Sequence, residues 1–233
     1  MQQDGVKTKT RPKMTMAERL NTLRAGVLGS NDGILTVVGV LFSVAVATTN
    51  QFTIFIAGLS DLLACAFSMA SGEYASVSSQ KDTEKAVVAE EKALLDSQPD
   101  VEAGIVKAYY VERGVSEETA QAITNELMHE NPLGTLVRIK DDLELGEYMN
   151  PWNAAFSSLF AAAAGGLFPL FAMTFSPVNI QWPMTIFAVT LSVALTGYLS
   201  AKLGDGLAKR AIIRNVIVGL VTMFIHYRVG LLL

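Results

Sequence analysis

Two long apolar stretches each carry a single carboxylate, and that combination restricts what this chain can become. Residues 23–47 read LRAGVLGSNDGILTVVGVLFSVAVA and are apolar apart from a short polar break that contains Asp32. Residues 52–72 form a second such stretch and contain Asp61. Both are long enough to cross a hydrocarbon core of about 30 Å at a rise of about 1.5 Å per residue. A carboxylate at the centre of such a helix costs about 2.5–3.5 kcal/mol on insertion scales. Chains keep one mainly where it faces a water-filled path, an ion or a partner. Two acids in adjacent apolar segments therefore suggest a cation pathway through a bilayer.

The charge is unevenly distributed. Between residues 81 and 147 there are 16 Asp and Glu against 7 Lys and Arg, whereas the rest of the chain holds 6 acids and 11 bases. An acidic polar insert thus interrupts an apolar chain with basic flanks. The mean hydropathy, +0.36, averages over that split. Cys65 is the sole cysteine, so no intrachain disulfide is possible.

Five membrane spans are expected, at about 23–47, 52–72, 152–175, 182–203 and 207–227. The connection at 48–51 and the one at 176–181 contain no Lys or Arg. The N-terminal segment, with Lys7, Lys9, Arg11, Lys13 and Arg19, is basic, and it lacks the apolar core of a signal peptide. The insert holds bases, and so does the last connection with its flank, through Lys202, Lys209, Arg210 and Arg214. Five spans with a cytoplasmic N-terminus put all these bases on one side and the C-terminus outside. Arg228 is the exception, and a snorkelling side chain accommodates it. The expected organisation is a cytoplasmic tail (1–22), two membrane helices (23–72), a cytoplasmic helical insert (73–150) and three membrane helices (151–233). The fold class is an all-α membrane protein.

The insert reads as helices throughout. No proline lies between Phe52 and Gln98, so the second span continues into the insert until Pro99 stops it. A helix to about Arg113 follows, with Gly114 just past its end. Ser116 is placed to cap the next helix, with Glu117 and Glu118 in its first turn. Asn131-Pro132 opens a further helix to about Leu145, and Asn150-Pro151 opens the third span.

Asp61, Cys65, Ser68, Met69 and Gly72 share one helical face, and Glu73 follows Met69 by four residues. That face offers oxygen and sulfur donors together, a mixture that borderline-soft divalent metals accept and Mg²⁺ and Ca²⁺ do not favour. Met69 and Cys65 also suit ordinary packing, and Glu73 also suits a solvated helix end. In the first span, Gly33 permits a bend or a close helix approach beside Asp32. Glu126-Leu127-Met128-His129 is a Glu-x-x-His pair, but His129 and His226 are the only histidines. A di-iron bundle needs two such pairs and further glutamates, which argues against a ferritin-like oxidase.

SNDGILT in the first span, SDLLACAFSMASGEYASVSSQKD from Ser60 to Asp82, and NPW at Asn150–Trp152 resemble the vacuolar iron transporter family, in the manner of a bacterial-type member. The resemblance covers nearly the whole chain from Leu23 onward. It implies a five-span homodimer with the ion path at or near the interface, and a transporter rather than an enzyme. It implies export of Fe²⁺, often also Mn²⁺, from the cytoplasm in exchange for protons. By position, the family's intramembrane metal residues fall on Asp32, Asp61 and Met69, with Asp61 standing where Glu is common. Glu73 is placed to pass ions between insert and path. In the insert, Glu91, Glu102 and Asp142 match the family's cytoplasmic ligands. Leu94 and Ile105 replace the second members of two Glu-x-x-Glu pairs, and Arg138 and Ile139 stand where methionine is expected. Three carboxylates could hold one ion but not a cluster.

The expected partners are divalent transition-metal ions, protons, the lipid bilayer and a second copy of the chain, with no nucleic acid. Fe²⁺ or Mn²⁺ is cargo, and no tightly bound cofactor is expected. The setting that suits the sequence is a bacterial plasma membrane. The competing reading is a membrane-anchored metal-binding or sensing protein that moves nothing.

Overall fold

The computed structural model describes residues 14–204 and 206–232, so the basic residues Lys7, Lys9, Arg11 and Lys13 lie outside the described residues. The described residues form eight α-helices: α1 (Met16–Ala47), α2 (Gln51–Ser97), α3 (Pro99–Glu112), α4 (Glu117–Glu130), α5 (Pro132–Asp141), α6 (Pro151–Phe175), α7 (Gln181–Leu203) and α8 (Ala208–Gly230). They belong to two compact units. One comprises the chain up to Tyr74 together with Pro151–Leu233, and the other is Ala75–Asn150.

Four helices, α1, α2, α6 and α7, are long and apolar enough to cross a membrane. Their outward surface fits that environment. Phe156, Phe160, Phe168 and Phe171 on α6 and Phe187, Leu191 and Leu195 on α7 are all exposed. An apolar face of that extent is a liability in water and suits lipid. The helix α8 is also 23 residues long, but it carries Lys209, Arg210, Arg214, His226 and Arg228.

In the first unit α1 is central and packs chiefly against α6. Small residues make this approach possible. A methyl group on Gly33 would run into the backbone carbonyl of Ala162, and one on Gly165 into that of Ser30. Ridges of larger side chains would hold the helices apart, so glycine here trades side-chain burial for backbone contact. Around this seam Ile34, Val37, Val38 and Leu41 of α1 meet Leu170 and Met173 of α6, Val189 and Val193 of α7, and Met223 of α8. Ile54 and Leu62 bring α2 into the same core. Aromatic clusters mark two ends. Tyr74, Trp152 and Phe156 stack near the start of α6, and Phe42, Trp182 and Tyr227 near the start of α7. Such rings suit the two membrane–water interfaces.

The first helix begins at Met16, ahead of the expected residue 23. Thr15 caps it by accepting the Glu18 amide at 3.1 Å, and the Thr-x-x-Glu spacing is that of a capping box. The polar turn Glu18–Arg24 is therefore helical rather than tail. Glu18 in turn accepts a hydrogen bond from Asn153 of α6 at 2.7 Å.

The second unit is built by the expected punctuation. Pro99 opens α3 after α2 ends at Ser97. Gly114 turns left-handed at φ +87°. Ser116 accepts the Thr119 amide to cap α4, and Asn131 accepts the Gly134 amide to cap α5, with Pro132 in its first turn. One boundary differs. The helix α5 stops at Asp141 instead of running to Leu145, because Asp142 adopts a left-handed conformation (φ 55°, ψ 34°) and the Leu143 amide folds back onto the Val137 carbonyl. Val106, Ala120, Leu136 and Val137 are fully buried in this unit.

Candidate functional site

The sequence candidates in the membrane unit converge between α1 and α2. Asp32 and Thr36 lie one turn apart on α1. Asp61, Cys65, Met69 and Glu73 follow one another at four-residue spacing on α2. The thiol of Cys65 donates to Oδ2 of Asp32 at 3.6 Å. Thr36 lies beside both Asp61 and Cys65. Its hydroxyl is within reach of both, yet neither it nor Oδ2 of Asp61 meets full hydrogen-bond geometry with a partner among the described residues. A buried carboxylate oxygen left open is costly unless a cation, a proton or water satisfies it. Met69 packs against Cys65, Ala66 and Ala162, so its thioether borders the same space.

Glu73 is 9% exposed despite its place near the end of the apolar stretch. Its nearest cation is Arg24, with Nη2 3.8 Å from Oε2. That distance allows Coulombic attraction without a hydrogen bond, and Oε2 of Glu73 also lacks a hydrogen-bond partner.

Two residues join this group that the sequence reading did not assign to it. Thr36 was hidden because a single hydroxyl in an apolar helix ordinarily bonds its own backbone. His226 enters the sequence reading only as one of the two histidines. Its imidazole lies directly over Gly39 of α1, where a methyl group would come 2.7 Å from Nε2. From there it lies close enough to Asp61 to interact with it across the bundle. The missing Cβ at Gly39 was the only sequence signal of that approach.

The insert candidates fall differently. Glu91 of α2 and Glu102 of α3 are 6% and 2% exposed, and both face Lys140 of α5. Lys140 Nζ donates to Oε2 of Glu91 at 2.6 Å and to Oε2 of Glu102 at 3.2 Å. Burial works against the ammonium, but the hydrogen bonds and charges of Glu91 and Glu102 outweigh it and hold Lys140 above the usual lysine range. Asp142, the third candidate, is the exposed left-handed residue at the end of α5. The neighbouring Asp141 is the acid coupled to this cluster. Partial burial and the Glu91 charge raise its carboxyl above the usual range, Lys140 opposes that, and Glu90 adds to it. Leu94 and Ile105 are half-buried, and Arg138 pairs with Glu144 at 3.5 Å. Glu126 and His129 are both exposed on α4. Among the described residues no group of three His, Cys, Asp or Glu side chains is arranged to hold a metal ion.

Apolar helices with carboxylates, a thiol and a thioether between α1 and α2 define a helical membrane protein with a polar seam. The VIT family model matches residues 23–231. The chain belongs to the VIT family. It is 32% identical over 213 residues to a vacuolar iron transporter of Acanthamoeba castellanii, covering 90% of this chain and 78% of the relative. It is 28% identical over 226 residues to vacuolar iron transporter homolog 2.1 of Arabidopsis thaliana, covering 94% and 87%. Vacuolar iron transporter homolog 5 of Oryza sativa subsp. japonica is 29% identical over 217 residues, covering 92% and 82%.

Proposed function

We propose that this protein carries Fe²⁺ or Mn²⁺ out of the cytoplasm, in exchange for protons, along a path lined by Asp32, Asp61 and Met69. The observation that carries this reading is the Cys65–Asp32 contact across the α1–α2 seam, which puts Asp32 one helical turn from Asp61, whose Oδ2 is buried. Relatives named vacuolar iron transporters support iron as cargo. Sulfur from Cys65 and Met69 beside carboxylate oxygen suits a borderline divalent ion better than Mg²⁺. Buried carboxylates bind either a proton or a cation, so the two compete for one charge, which is the physical basis of exchange. Glu73, held loosely by Arg24, stands at the cytoplasmic mouth and hands ions to the path.

In this reading α8 is the fifth span. Three of its charges, Lys209, Arg210 and Arg214, lie within its first seven residues, and Arg228 lies near its end, where long side chains reach the headgroups. The N-terminus and the insert are cytoplasmic because the bases gather there. Two copies pair, with the path near their interface; Leu63 and Phe67 of α2 are exposed apolar side chains that suit burial between copies.

Reconstitution into vesicles tests the proposal. Fe²⁺, Mn²⁺, Zn²⁺ and Co²⁺ fluxes are measured at two pH gradients. Saturable Fe²⁺ or Mn²⁺ flux that rises with an opposing proton gradient is expected. Metal binding without flux would replace the transporter with a binding or sensing protein.

A further inference from the structure

We propose that the ammonium of Lys140 is the resident cation of the insert, closing a carboxylate site that would otherwise take a divalent metal. The inference concerns the Ala75–Asn150 unit alone and does not depend on transport.

Glu91 and Glu102 come from different helices, α2 and α3, and aim Oε2 atoms at one point. Both are almost wholly buried, at 6% and 2% exposure. Two carboxylates withdrawn from water on facing helices repel each other, and a cation between them relieves that repulsion. The cation present is Lys140 Nζ, at 2.6 and 3.2 Å. It reaches them from α5, so a single side chain ties three helices together. Asp141 stands beside it as a third acid within reach of the Glu91 charge.

The charge balance explains why a metal is not needed. One ammonium offsets one of the two buried carboxylates and hydrogen-bonds both. A divalent ion entering here would have to displace a tethered competitor whose local concentration never falls. Without Lys140, two buried oxygens and a nearby acid remain, which is a hard, oxygen-rich donor set suited to Mn²⁺.

The test uses the full-length protein in detergent with Mn²⁺ as probe. Bound Mn²⁺ per chain is measured by equilibrium dialysis for the natural protein, Glu102→Gln, Lys140→Met, Lys140→Arg and Lys140→Met with Glu102→Gln. Lys140→Met is expected to bind one additional Mn²⁺, Lys140→Arg none, and the double variant to lose the gain. Hydrogen exchange of α3–α5 is followed in parallel. If Lys140→Met loses protection there, recovery on adding Mn²⁺ supports the proposal, and no recovery at saturating Mn²⁺ overturns it. Two further results overturn it. One is a Lys140→Met protein that is folded but binds no more Mn²⁺ than the natural chain. The other is a natural chain that loses a bound Mn²⁺ on Glu102→Gln alone.

Discussion

The Cys65 thiol points at Oδ2 of Asp32 across 3.6 Å, joining the two helices that each bring one acid into the apolar bundle. A thiol proton spent on one carboxylate leaves the sulfur beside the same oxygen. An ion bound at Asp32 therefore has sulfur 3.6 Å from its carboxylate oxygen, a separation that one ion can bridge. Cys65→Ser keeps the donor and removes the sulfur. It is expected to preserve Mn²⁺ flux and to weaken competition by the softer Zn²⁺ several-fold. Competition curves in vesicles check this.

Met69 borders the same space. Met69→Leu conserves volume, so it should cost less than about 1.5 kcal/mol of stability. Its expected effect is a lower apparent Fe²⁺ affinity at nearly unchanged thermal stability. Flux against Fe²⁺ concentration, with a melting curve in detergent, separates the two contributions.

The Gly33 contact with Ala162 predicts a large structural penalty from a small change. Gly33→Val drives two methyl groups against a backbone carbonyl that cannot rotate away. Overpacking costs about 1–3 kcal/mol where side chains can yield, so the upper end or more is expected here. Unfolding in a denaturant series measures it, and a Gly72→Ala control, at a glycine with open space around it, should be near neutral.

Lys140 gives the insert a pH signature. Its folded value is raised above 10.5, so the ion pair's stabilisation is complete below about pH 10.5 and is lost as pH rises through the folded value. Hydrogen-exchange protection in α3–α5 should hold from pH 7 to about 10.5 and fall above that. Removing the cation outright, by Lys140→Met without metal, is expected to cost about 3–5 kcal/mol, the range for breaking a buried pair.

The proposed orientation rests on the distribution of charge and is open to labelling. With Cys65→Ser as background, Ser97→Cys at the exposed end of α2 should react only with reagent on the cytoplasmic side. Leu232→Cys should react only from the opposite side. Labelling of both positions from one side would remove the five-span arrangement.

Much of the helix plan was legible because it is written in local chemistry. Pro99, Ser116 and Asn131-Pro132 start helices by satisfying or dispensing with amides, and each does so where expected. The start of α1 was missed because its first turn is polar, although Thr15 and Glu18 carried the capping signal. The end of α5 was misplaced because a left-handed aspartate has no obligatory sequence mark. At the candidate site, the four-residue spacing of Asp61, Cys65, Met69 and Glu73 is a one-helix property and could be read directly. Contacts between helices could not. Nothing local shows that Lys140 reaches Glu91 and Glu102, that Asp141 rather than Asp142 feels their charge, or that His226 lies on Gly39.

The central claim is that Asp32 and Asp61 carry the ion. Asp32→Asn and Asp61→Asn keep the shape of each side chain and remove its charge. Fe²⁺ and Mn²⁺ uptake into vesicles, measured for equal amounts of folded protein, is the direct measurement. Each variant is expected to fall to the level of protein-free vesicles while its melting temperature is unchanged or raised, because a buried charge has been removed. Flux equal to that of the natural protein in either variant would contradict the account.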